Sequence, residues 1–179
     1  MKAVVLFKDG FEELEALSVV DVLRRAQVTC DMLGMDQMHV TSSHGIEVKM
    51  DKLFDESAYD ADVVVLPGGM PGAASLKDDQ RVIDILKDFN EKGKWIAAIC
   101  AGPISLEKAG VVTHKKFTCY PGFEEQIPSG IYQDSLICVD QNIITGRGPA
   151  AALMFGYTIL EKLGVDSKNI QEGMQYHYL

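Results

Sequence analysis

The chain has 179 residues, of which 47% are hydrophobic and 24% charged. That balance fits one globular domain over residues 1–179, with enough apolar material for a sizeable core and too much for a disordered chain. With 17 basic against 26 acidic residues the net charge is −9, and no Lys/Arg cluster is longer than two, so neither nucleic acid nor an anionic membrane surface is an expected partner. Apolar runs such as Val63 to Leu66 fall far short of the roughly 20 residues of a membrane span. The opening MKAVVLF meets Lys8, Asp9 and Gly10 without the apolar region or cleavage site of a secretory leader. Cysteines 30, 100, 119 and 138 show no CxxC pair, and histidines 39, 44, 114 and 177 show no i, i+4 pair. No metal, no cofactor and no disulfide framework is expected, and a cytoplasmic, reduced location is.

Lys2 to Phe7 is a β-branched apolar run closed by Asp9-Gly10, a buried strand and turn. Phe11 to Ala26 follows a helical period, with Glu12, Glu13 and Glu15 near its start, where carboxylates suit the positive end of the helix dipole. Val28 to Leu33 is a second strand, and His39 to Lys49, broken at Gly45, a hairpin able to reach a partner. Asp62 to Leu66 is a buried strand running into Pro67-Gly68-Gly69-Met70-Pro71-Gly72. A helix over Asp79 to Asn90 carries Val82, Ile83, Leu86 and Phe89 on one face. Lys94 to Ile99 is the next strand, with helices at Gly102 to Ala109 and Pro149 to Leu163 and strands at Ser135 to Val139 and Asn142 to Thr145. Alternating strands and helices predict an α/β fold whose mainly parallel sheet is covered on both faces.

In such sheets ligands bind beyond the carboxyl ends of the strands. Ala98-Ile99-Cys100-Ala101-Gly102-Pro103 has the small residues two before and two after a central residue that a nucleophile elbow requires. A cysteine at a helix N-terminus faces unpaired amides that favour the thiolate. From spacing alone, Cys100 is either that nucleophile or a buried structural thiol. The Pro67-Gly68-Gly69 loop could offer an amide to an oxyanion, or be an ordinary turn. One inward-facing glutamate near the first helix would carry protons, whereas a solvated one would do nothing.

The segments GFEELE (10–15), VVVLPGG (63–69), AAICAGP (97–103) and GRGP (146–149), in this order and spacing, strongly resemble the ThiJ/PfpI superfamily, and within it the branch of the parkinsonism-associated protein deglycase and bacterial YajL. The resemblance spans roughly residues 2 to 164. It implies a flavodoxin-like three-layer sandwich, usually a homodimer, with Cys100 as nucleophile and Glu15 as the carboxyl group beside its sulfur. It further implies oxyanion-hole amides from Gly69 and Ala101, with Gly68 adjoining, and places Arg147 and Arg25 near the site or the dimer interface. Activities in the family include glutathione-independent conversion of methylglyoxal to lactate, repair of glycation adducts, and redox-sensor or chaperone roles through cysteine oxidation.

Two departures matter. The protease-like branch has His directly after the cysteine where this chain has Ala101, which argues against peptidase or amidase activity. Relatives often bring a His before a Pro where this chain has Tyr120 before Pro121, so base chemistry falls to Glu15, assisted by the Tyr120 hydroxyl. Cys119 is read either as a resolving thiol or as a small core residue, and Cys30 and Cys138 as core. The expected partners are small reactive aldehydes or glycated groups and a second copy of the chain.

Overall fold

The computed structural model of the chain describes residues 1–176; His177 and the last two residues of the C-terminal tail lie outside the described residues. Strand β1 (Lys2–Phe7), helix α1 (Glu13–Arg25) and β2 (Thr29–Gly34) form a parallel β-α-β unit, β1 and β2 pairing in register from Lys2–Thr29 to Phe7–Gly34. The chain then leaves the sheet for an antiparallel hairpin, β3 (His39–Thr41) and β4 (Glu47–Lys49), and returns at the two-residue edge strand β5 (Lys52–Leu53). The hairpin is tied down over the end of β1: Gly10 N–H donates to Thr41 C=O at 2.8 Å, and Ser43 N–H to Phe11 C=O at 2.8 Å.

Strand β6 (Val63–Leu66) pairs with the other side of β1, followed by α2 (Gly72–Lys77), α3 (Gln80–Glu91), β7 (Trp95–Ile99) and α4 (Ile104–Ala109). After the short parallel pair β8 (Lys116–Phe117) and β9 (Ile131–Tyr132), the strands β10 (Ile137–Asp140) and β11 (Ile143–Gly146) form an antiparallel hairpin, and α5 (Ala152–Lys162) and α6 (Lys168–Gly173) close the chain. The seven-stranded sheet runs β10-β11-β7-β6-β1-β2-β5, parallel except for β10. This is the mainly parallel α/β architecture that the alternation of elements predicts.

Side chains alternate across this sheet because successive strand residues point to opposite faces. Ala3, Val5, Phe7, Val63, Val65, Ala97 and Ile99 pack with α1 and α5, while Val4, Leu6, Val64, Leu66, Ile96 and Ala98 pack with α2, α3 and α4. Four-residue β6 is buried on both faces, which is why it reads as an unbroken apolar run. The order of strands reverses between β1 and β6, the position at which such sheets bind ligands, and here the loops after those two strands meet, Glu12 N–H donating to Gly68 C=O at 2.9 Å.

Several elements differ from the sequence reading. Helix α2, the two-residue strands β5, β8 and β9, and α6 have no periodic signature because each is too short to repeat a pattern. The helix expected from Gly102 starts at Ile104, since residues 100–103 are used in the turn itself. The one expected from Pro149 opens as a single 3-10 turn, Pro149–Ala151, before α5 begins.

Candidate active site

Cys100 follows β7 with φ +61°. A side chain in the left-handed region is uncommon outside glycine and signals a constrained position. The constraint is visible in the backbone: Cys100 N–H donates to Gly146 C=O at 2.9 Å on β11, and Cys100 C=O accepts from Tyr120 N–H at 3.0 Å. The turn is so tight that a Cβ on Gly102 would lie 2.7 Å from Leu66 O and 2.9 Å from Ile99 O. The small residue that the elbow pattern requires two positions after the cysteine is therefore a steric necessity.

The loop after β6 closes over the cysteine. A Cβ on Gly68 would stand 2.6 Å from Cys100 Cβ, 2.7 Å from Glu15 Oε2 and 2.9 Å from Ala101 N. The amides of Gly69 and Ala101 both point at the Cys100 sulfur and favour its ionised form. Gly69 has φ +84°, and a Cβ there would meet Glu12 N at 2.4 Å.

Glu15 enters from the first turn of α1 and is completely buried. Its Oε2 accepts the Gly68 N–H at 2.8 Å, whereas Oε1 is buried without a well-aligned hydrogen-bond partner. The Cys100 thiol lies close enough to the carboxyl to stabilise its charge. Burial raises the Glu15 pKa to about 7, against the pull of Cys100 and the Gly68 amide, and the neighbouring Glu12 charge pushes in the same direction as burial. A carboxyl group in this state gains and loses a proton near neutral pH.

The Cys100 thiol itself is pushed upward, first by burial and then by the charge of Glu15, with the amides of Ala101 and Gly69 opposing. This corrects the expectation of a helix-activated thiolate: α4 begins four residues later, and the nearest charge is negative. Burial and the Glu15 charge together keep the proton on the sulfur when Glu15 is ionised.

Glu12 and Glu13 are the members of the acidic trio that the sequence reading leaves without individual roles, and the structure gives Glu12 one. It caps α1, Oε2 accepting the Glu15 N–H at 2.7 Å, while its own N–H donates to Gly68 C=O at 2.9 Å. Only its side-chain geometry separates it from an ordinary solvated helix-start acid, and sequence carries no signal for that. Glu13 faces the hairpin instead, where His44 Nδ1 lies 2.8 Å from its Oε1 and has its pKa raised by that contact. Glu12, Glu13 and His44 offer ligand atoms within 4.8 Å of one another, but the Glu15 and His44 contacts account for that grouping.

The remaining candidates fall outside this cluster. Arg25 sits in the last turn of α1, paired with Asp21 at 2.8 Å. It lies ten positions along α1 from Glu15, about 15 Å along the axis, so it stands apart from the Cys100 cluster. Arg147 is paired with Asp134 and with the Tyr132 hydroxyl, in the wall of a cavity beside the elbow. The Tyr120 ring is half exposed in that same wall, and its hydroxyl makes no hydrogen bond to Cys100 or Glu15 among the described residues. His114 is exposed in a turn with φ +59°. Cys119 is fully buried in the core, its thiol pushed up to about 12 by burial and then by Glu124; Cys30 is likewise core, while Cys138 is partly exposed on β10.

A mainly parallel sheet with a strained cysteine elbow and a buried carboxyl group against the sulfur defines a class of cysteine-centred α/β proteins. The DJ-1/PfpI family matches residues 1–162, and the chain belongs to that family. It is 36% identical over 174 residues to the Drosophila melanogaster protein dj-1beta, covering 95% of this chain and 92% of that one. The crystal structure of that Drosophila protein superposes with a TM-score of 0.93 over 97% of both chains, at 34% identity. The glutathione-independent glyoxalase DJ-1 of Schizosaccharomyces pombe is 28% identical over 180 residues, covering 94% of each chain. The chain spans less than half the length of the Arabidopsis thaliana relatives it matches.

Proposed function

We propose that this protein is a cysteine-dependent enzyme acting on small reactive carbonyls, of the glutathione-independent glyoxalase or deglycase type. The observation that carries the reading is the buried Glu15, poised near neutral pH beside a sulfur that two amides also reach. A S. pombe relative named as a glutathione-independent glyoxalase supports the substrate class.

In this reading the Cys100 sulfur adds to the aldehyde carbon of a 2-oxoaldehyde, and the thiol proton passes to the oxygen, giving a hemithioacetal. The Gly69 and Ala101 amides stabilise the oxyanion that forms during addition. Ionised Glu15 removes the hydrogen on C1 as a proton and returns it to C2. C1 is thereby oxidised to a thioester and C2 reduced to an alcohol, with no external electron acceptor. Water then hydrolyses the thioester, releasing the 2-hydroxy acid and the thiol. The test is lactate production from methylglyoxal without glutathione, comparing wild type with Cys100→Ser: Cys100-dependent turnover is the expected result, and none from a folded protein refutes the reading.

A second reading, redox sensing through oxidation of Cys100, rests on the same pair: a protonated Glu15 would donate to a sulfinate oxygen. A solved Toxoplasma gondii relative is described as oxidised. Intact mass after mild peroxide, with a gain of two oxygens confined to Cys100 and no carbonyl turnover, would favour it. The homodimer and the cytoplasmic location belong to this proposal too, and sedimentation analysis tests the former.

A further inference from the structure

The backbone of Cys100 is strained, and a strained residue persists only where its surroundings over-determine it. The chain leading to Tyr120 supplies part of that constraint. From β8 onward the amides of alternate residues each meet a different acceptor. Lys116 N–H donates to Asp140 Oδ2 at 2.8 Å, Thr118 N–H to Thr145 Oγ1 at 2.9 Å, and Tyr120 N–H to Cys100 C=O at 3.0 Å. On the other edge, the carbonyls of Lys115 and Phe117 accept from the Ile131 and Gln133 N–H groups at 2.8 and 2.7 Å. Residues 116–120 are thus an extended strap whose last rung is the elbow itself.

The middle rung differs from a sheet ladder, because a side-chain hydroxyl takes the place of a backbone carbonyl. Thr118 and Thr145 are both completely buried, so no bulk water substitutes for that hydroxyl. The Thr118 hydroxyl in turn donates to Ser135 C=O at 2.8 Å, which fixes the residue from its other end. Thr145 immediately precedes Gly146, whose C=O accepts the Cys100 N–H at 2.9 Å. One buried hydroxyl therefore ties together the two segments that grip Cys100, one at its N–H and one at its C=O.

We propose that Thr145 is a positioning residue: its hydroxyl sets the strap on β11 and so holds the Cys100 sulfur beside Glu15 and the Gly69 and Ala101 amides. The proposal rests on Cys100 being the reactive residue of the carbonyl-enzyme reading. Thr145 acts through the backbone of its neighbours, not on a substrate.

The first measurement needs no variant. As parts of one unit, the Thr118, Tyr120 and Cys100 amides of the wild type are expected to show hydrogen-exchange protection within about threefold of one another. Values more than tenfold apart overturn the proposal, and this result decides alone if Thr145→Val does not fold. In folded Thr145→Val, protection of Tyr120 relative to Val5 of β1 is expected to fall about tenfold, as for one lost hydrogen bond. The Glu15 titration, followed by its carboxyl carbon resonance, is expected to move up by about half a pH unit, because the thiol that stabilises its charge is displaced. With methylglyoxal, kcat is expected to fall about tenfold with KM within about twofold. Thr145→Ser restores the hydroxyl and is expected to recover all three readouts. Leu33→Ala, a core truncation on β2, four strands from β11, controls for lost stability and is expected to move none of them. Wild-type Tyr120 protection and Glu15 titration in Thr145→Val overturn the proposal, as does a Leu33→Ala protein that reproduces the changes. A wild type inactive on methylglyoxal refutes the carbonyl reading alone, and exchange and titration still decide the role of Thr145.

Discussion

The Gly68 amide donates to Glu15 Oε2 at 2.8 Å across 53 positions of sequence. That bond joins the loop after β6 to the first turn of α1 at the point where the sheet reverses direction. It occupies one carboxylate oxygen beside Cys100 and leaves the other, Oε1, buried without a hydrogen-bond partner.

Gly68→Ala tests that closure. The new Cβ would overlap Cys100 Cβ and Glu15 Oε2, at 2.6 and 2.7 Å, so the carboxyl or the elbow must shift. Turnover is expected to fall by about two orders of magnitude, as for a misplaced catalytic group, with a loss of about 2 kcal/mol in stability. Methylglyoxal kinetics and urea denaturation of the same sample check both.

Glu15→Gln separates catalysis from stability. Turnover is expected to be abolished, and in the wild type kcat/KM is expected to rise with pH through about 7 as Glu15 ionises. For stability the sign is opposite: Glu15 moves from an ordinary 4.5 to about 7 on folding, so the native state holds the extra proton and loses stability as pH rises through that window. Gln removes the buried charge. The variant is expected to match wild type below pH 4.5 and to exceed it by about 3 kcal/mol above 7, read from urea midpoints at pH 4 and 8.

The same substitution changes the thiol. Without the carboxylate charge that pushes Cys100 upward, thiolate forms at lower pH. Iodoacetamide alkylation of Cys100 at pH 8 is expected to quicken by about tenfold per pKa unit removed. An unchanged rate, measured by peptide mass spectrometry, would leave burial as the sole cause.

Glu12→Gln keeps an acceptor for the Glu15 N–H and removes the charge that helps raise Glu15. The pH–rate limb is expected to move to lower pH with the maximal rate retained within about threefold. A full pH profile of kcat/KM, compared with circular dichroism to check that α1 is intact, reads this.

Away from the site, Asp79 caps α3 through Arg81 N–H at 3.0 Å and pairs with Lys8 at 3.0 Å and Arg81 at 2.6 Å. Burial would raise its pKa, but the bonds from Arg81 and Lys8 outweigh it and hold the carboxyl at about 2. Its contribution is present above the ordinary 3.8 and is lost as pH falls through 2. Asp79→Ala is expected to cost about 2 kcal/mol at pH 7 and progressively less toward pH 2, followed by denaturant midpoints at the two pH values.

Much of this arrangement was legible in local pattern. The span of β1, the helix after it, the apolar run of β6 and the small residues around Cys100 are all properties of a few neighbouring side chains, and local sterics and burial impose them directly. Gly102 has to be small because the turn allows no Cβ, which spacing alone conveys. The short pieces were not legible: β5 and β8 are two residues long, and pairing rather than propensity makes them strands.

By itself, then, the sequence determined the order of strands and helices, the family resemblance and the elbow that strains Cys100, because each depends on residues close in the chain. Only the tertiary structure decided that Glu12 caps α1 while Glu13 turns to the hairpin, that Arg25 lies ten positions along α1 from Glu15, and that the thiol is pushed up rather than down. Those outcomes depend on burial and on charges carried in by distant loops. A pKa follows the groups that surround a side chain in space, and here they are Gly68, Gly69 and Glu12 around Glu15 and Cys100.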